Sequence, residues 1–122
     1  MFGIRVEDEF CASHQLRLPD GTLEPLHGHN FHVSVMVCSP ALDALQTVMD
    51  FHALQQALGE TLAALNNQHL NRLAAFSSAI NPSAERIAEF IGRQLIPAIP
   101  APAALTEVSI TEAPGCTAFW RP

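Results

Sequence analysis

The chain has 122 residues, 48% of them hydrophobic, and a formal net charge of −6, which fits one globular domain spanning residues 1–122 and argues against a nucleic-acid backbone as partner. All six basic residues are arginines (Arg5, Arg17, Arg72, Arg86, Arg93, Arg121) and tyrosine is absent, so a Schiff-base lysine and a P-loop are excluded, while arginine forks leave a phosphorylated substrate open. No apolar run reaches the ~20 residues that a membrane helix needs, and the acidic start MFGIRVEDEF has no apolar signal region, so a cytoplasmic protein with no membrane partner is expected.

Residues 4–13 hold strand-compatible side chains and predict a first strand. Pro19-Asp20-Gly21 supplies turn chemistry, and FHVSVMV at 31–37, rich in β-branched residues, predicts a second strand. The period then changes. Phe51, Leu54, Leu58, Leu62 and Leu65 recur at spacings of three and four, the stripe of a helix, with Asp50 as its N-cap. A second helix is expected from about Ser83 to Ile96, striped by Ala84, Ile87, Ala88, Ile91 and Leu95, started by NPS and stopped by Pro97. Residues 107–113 and 116–121 predict two further strands around a Pro114-Gly115 turn.

The expected order is therefore β-β-α-α-β-β, an α+β layer with a four-stranded antiparallel sheet and both helices on one face. The other face stays open unless subunits pack on it, so an oligomer is expected. Cys11, Cys38 and Cys116 form no CxxC pair, which argues against a disulfide framework or a zinc ribbon; each is expected to pack as a small buried residue.

The stretch EPLHGHNF carries the candidate chemistry. On extended backbone His27 and His29 project the same way, and two imidazoles on one face offer a grip on a divalent metal. The pair alone is weakly specific, since surface or core histidines give the same pattern. His14, at the end of the first strand, reaches the same point if the two strands pair. Three histidines with no fourth protein ligand describe a catalytic zinc with an open position. His32 should face away, and His52 and His69 lie outside the cluster. GTLEPLHGH also fits half of a cupin signature, but Val33 and Ser34 stand where a cupin needs glutamate, and residues 51–96 are mainly helical.

Taken together, FCASHQL (10–16), HGHNF (27–31), VMDFHAL (48–54), HLN (69–71), NPSAE (81–85) and ITEAP (110–114) resemble, in type and order, the 6-pyruvoyl-tetrahydropterin synthase family, which includes the 6-carboxytetrahydropterin synthases. The resemblance implies a tunnelling fold, with trimers paired into hexamers and active sites between subunits. It also implies zinc at His14, His27 and His29, Glu112 as the substrate-binding residue that anchors a pterin, and 7,8-dihydroneopterin triphosphate or a related pterin as substrate. A carboxylate suits the anchoring task because a pterin edge offers adjacent N–H donors to two oxygens.

Two departures stand out. The family's catalytic cysteine falls at Leu23, and the next residue is Glu24. The resulting Glu-x-x-His-Gly-His is similar to a variant class in which glutamate replaces the cysteine. That class cleaves the side chain to yield 6-hydroxymethyl-7,8-dihydropterin. The family's Asp-His pair falls at Asn66 and Asn67, neither of which carries a proton at neutral pH; His69 lies two residues on. Two readings follow: a zinc-dependent pterin lyase with Glu24 as base and His69 assisting, or a paralogue that keeps zinc and the pterin pocket without the standard turnover.

Overall fold

Alternation of buried and exposed side chains builds the sheet. In the computed structural model, which describes residues 1–77 and 79–122, strand β1 runs Phe2–His14 and strand β2 runs His27–Ser39. They pair antiparallel in unbroken register from Phe2 opposite Ser39 to His14 opposite His27. Val6, Phe10, Ala12 and His14 of β1, and Phe31, Val33, Val35 and Val37 of β2, are buried on one face. The residues between them turn to the other face, as a period of two requires.

Helix α1 (Phe51–Ala63) begins at Asp50, whose carboxylate accepts the His52 N–H. It buries Leu54, Leu58 and Leu62 and packs on β1. Phe51, expected in that stripe, is instead 51% exposed, and Leu65 is buried just beyond the helix. Helix α2 (Ala84–Leu95) starts at Ser83, whose hydroxyl accepts the Arg86 N–H. It lies on strands β4 (Ala104–Ala113) and β5 (Cys116–Trp120). A Cβ on Gly92 would run into the Trp120 ring, so the helix approaches β5 only because that residue is glycine.

Among the described residues the sheet has five strands, not four, and it is mixed. Strand β3, Gln68–His69, pairs parallel with β1 at Ala12 and Ser13, and the order is β3-β1-β2-β4-β5. Two residues are too few for any alternation to show in the sequence. Both helices cover the same face, as expected. No cysteine is buried: Cys11 and Cys116 are exposed and Cys38 is half-buried. The reason is phase. Cys11 and Cys38 fall on strand positions that point to the uncovered face, and Cys116 opens β5 at the hairpin.

Candidate metal centre

The core face of β1 and β2 ends in histidines. His14 opposes His27, and His29 opposes Ala12, so strand alternation puts all three rings on the helix-covered side, just past Phe31. Their ring centroids stand 4.7, 5.2 and 4.9 Å apart, and one nitrogen from each lies within 4.8 Å of the other two. Nitrogens bound to one tetrahedral zinc at ~2.1 Å stand roughly 3.4 Å apart, so a small inward rotation closes the set.

Hydrogen bonding selects the nitrogen each ring presents. His14 Nδ1–H donates to the Pro82 carbonyl at 2.7 Å, and His27 Nδ1–H donates to the Pro25 carbonyl at 2.8 Å. Both bonds fix the tautomer that leaves Nε2 as a lone-pair donor. Among the described residues, the Nε2 atoms of His14 and His29 are buried without a hydrogen-bond partner. Buried nitrogen lone pairs without a partner are costly, and a divalent cation satisfies them. Burial holds the His29 pKa below its ordinary 6.5; His14 and His27 push the same way, and Glu112 and Glu24 oppose. The three residues therefore fit a metal.

Two carboxylates face the cluster. Glu112 follows the core residues Val108 and Ile110 along β4, and the pairing with β5 shifts register between Thr111 and Ala113, so Glu112 sits at a bulge that aims its side chain. Its Oε1 is 3.2 Å from His14 Nε2 and 3.7 Å from His29 Nε2. Glu24 comes from the 15–26 connection. Its Oε1 accepts the Leu16 N–H at 3.0 Å and lies 3.9 Å from His27 Nε2. His14 is buried, whereas the His27 side chain is 40% exposed, so the cluster opens to solvent at His27.

Within one chain, His14, His27, His29, Glu24 and Glu112 come together and His69 does not. His69 pairs with Ser13, a position on the uncovered face of β1, and lines a separate depression with Cys11, Asn67 and Arg72. His32 also faces away, 3.3 Å from Glu9. Asn66 and Asn67 serve the backbone. Asn66 Oδ1 accepts the Cys11 N–H at 3.0 Å, and the Asn67 N–H donates to the Cys11 carbonyl at 2.6 Å. Asn67 has φ 58°, the left-handed region that asparagine tolerates better than most residues. Residue-type reasoning missed Pro82, which acts through a carbonyl that every residue carries.

Residues 3–122 match the family model of 6-pyruvoyl tetrahydropterin synthase. Among solved structures, the chain is similar to the 6-pyruvoyl tetrahydropterin synthase of Caenorhabditis elegans (TM-score 0.85, 19% identity, 99% of this chain and 95% of that one covered). It is likewise similar to that of Plasmodium vivax (TM-score 0.79, 22% identity, 99% and 97% covered). A further Plasmodium vivax structure, described as a catalytic-residue mutant in which glutamate is replaced by alanine, matches with TM-score 0.78 at 21% identity, covering 99% and 97% of the two chains. A search of the curated proteins finds no match.

Proposed function

The chain belongs to the 6-pyruvoyl tetrahydropterin synthase family, and on that premise we propose that it is a zinc-dependent pterin lyase acting on 7,8-dihydroneopterin triphosphate or a close relative. The observation that carries this reading is the convergence of three histidines and a Glu24 carboxylate that lies 3.9 Å from one of them. Zinc at His14, His27 and His29 would supply Lewis acidity to substrate hydroxyls. Glu112 lies beside the buried His14 ring and would take the pterin edge through its two oxygens. Glu24 lies beside the exposed His27 ring, where a substrate side chain would enter.

Glu24 is the base in this reading. The Leu16 N–H restrains one of its oxygens and leaves the other to accept a proton from the substrate side chain. The glutamate named as a catalytic residue in the Plasmodium vivax relative supports an acid in this role. With glutamate where the thiol stands elsewhere, side-chain cleavage to 6-hydroxymethyl-7,8-dihydropterin is the favoured outcome. His69 would assist only from a neighbouring subunit, since its own chain places it on the other face. An oligomer, trimeric or hexameric, is supported by the uncovered sheet face and by β1, which β3 flanks only at Ala12 and Ser13.

One experiment tests the reading. Zinc-loaded protein is incubated with 7,8-dihydroneopterin triphosphate and the products are identified, with Glu24→Gln beside it. Turnover should fall about 10²-fold or more in the variant, the scale of general-base loss, while zinc and pterin still bind. Equal turnover in both proteins would remove Glu24 from the chemistry. A second reading, a pterin-binding paralogue without turnover, is favoured by Asn66 and Asn67, which are engaged with the Cys11 backbone. Pterin binding with no product from either protein would establish it.

A further inference from the structure

Backbone groups of an extended chain point alternately to its two edges. Residues 11–17 obey this beyond the end of β1, but after Ser13 the outer edge meets side-chain amides and, among the described residues, no strand. Cys11 is met by Asn66 and Asn67, and Ala12 and Ser13 by β3. Gln15 is then met by Asn71, whose Oδ1 accepts the Gln15 N–H at 2.9 Å while its Nδ2 donates to the Gln15 carbonyl at 2.6 Å. Arg17 is met by Asn81 in the same way, at 2.7 and 3.1 Å. On the inner edge, Leu16 exchanges bonds with Glu24: its N–H reaches the Glu24 carboxylate and its carbonyl accepts the Glu24 N–H, both at 3.0 Å.

Each amide thus reproduces the donor and acceptor pair of a missing strand. The clamped segment joins His14 to the partner of Glu24. Asn81 directly precedes Pro82, whose carbonyl orients His14. We propose that Asn71 and Asn81 are positioning residues of the metal centre, holding the 15–17 strand exit so that His14 and Glu24 face the other two histidines. The inference rests on the reading that the three histidines bind a divalent metal, and it goes beyond it by assigning two residues that touch neither metal nor substrate.

Cobalt(II), whose visible spectrum reports ligand geometry, is the probe. Wild type, Asn71→Ala and Asn81→Ala are titrated with it, alongside Asp50→Ala. That last variant removes the α1 cap at the opposite end of the sheet, with a stability loss of similar origin. Both asparagine variants should bind cobalt about 10- to 100-fold more weakly, the scale of outer-partner loss, with an altered spectrum. Asp50→Ala should match wild type in both. Asparagine variants with wild-type affinity and spectrum overturn the proposal. A wild type that binds no cobalt fails the metal reading instead.

Hydrogen exchange of wild-type protein then decides the clamp, and it does so also where an alanine variant does not fold. Amides of Gln15 and Arg17 that are strongly protected support the clamp. Amides that exchange as fast as those of an unstructured peptide overturn it.

Discussion

The β1–β2 ladder carries two pairs that look alike in the backbone and differ in everything else. Phe10 opposes Phe31, and their rings stack at 4.9 Å. Four residues along β1, on the same face, His14 opposes His27 at a ring separation of 4.7 Å. The first pair is complete, because apolar burial asks for nothing but contact. The second leaves a buried Nε2 with no hydrogen-bond partner among the described residues. The same strand alternation that makes a core thus makes a site where it places groups that burial alone does not satisfy. The proposed function thus sits where the stability rule is broken.

Phe31 belongs to both regions, so replacing it breaks the comparison most severely. It is fully buried and touches the rings of His14 and His29 at centroid separations of 5.5 and 5.4 Å. Phe31→Ala should cost about 3–5 kcal/mol in denaturant unfolding, and metal affinity should fall with it because the floor under two rings is gone. A loss under about 1 kcal/mol would show that the cluster and the core are mechanically separate.

Replacing His14 should sharpen the contrast. His14→Ala removes one proposed metal donor together with its hydrogen bond to Pro82 and its 3.2 Å approach to Glu112. Zinc affinity should drop by more than about 100-fold in competition with a chelator, since even outer partners are worth 10–100-fold. Metal-free stability should fall less than in Phe31→Ala, because the buried Nε2 contributes an unsatisfied group to the metal-free fold. Unchanged zinc affinity would dissolve the centre.

The sequence made the complete pair easier to read than the incomplete one. Val33, Val35 and Val37 announce their strand through alternation, and Asp50 and Ser83 announce their helices through cap chemistry. Strand β2 was expected from residue 31, and it begins at His27, because polar residues at the site end interrupt the apolar pattern that marks a strand. The three histidines and Glu112 were legible as residue types. Their partners were not. Pro82 and Leu16 act through backbone groups, and Asn71 and Asn81 act on backbone 56 and 64 positions away. The cysteines misled, because packing preference says nothing about which face a strand position takes.

The smallest effect is expected far from both pairs, on the outer face of α2. Glu89 accepts from Arg86 Nη1 at 2.6 Å and from Arg93 Nη2 at 2.9 Å. Bonds from Arg86 first, then Arg93, hold its carboxyl below the ordinary 4.5. A folded pKa below the unfolded one means that the pair stabilises above 4.5 and that this contribution is lost as pH falls through the lowered value. The arginine side chains are 55% and 65% exposed, so solvent screening keeps the contribution small. Glu89→Gln should cost about 0.5 kcal/mol at neutral pH, and the difference from wild type should vanish in acid. Unfolding of the two proteins across that range measures it. Cobalt affinity should stay unchanged in the variant, because Arg86 reaches Ser83 through its backbone N–H, which the substitution leaves in place. A shift in affinity would mean that α2 transmits surface charge to His14 through its first turn, and the ladder's two regions would then share an electrostatic support that their contacts do not reveal.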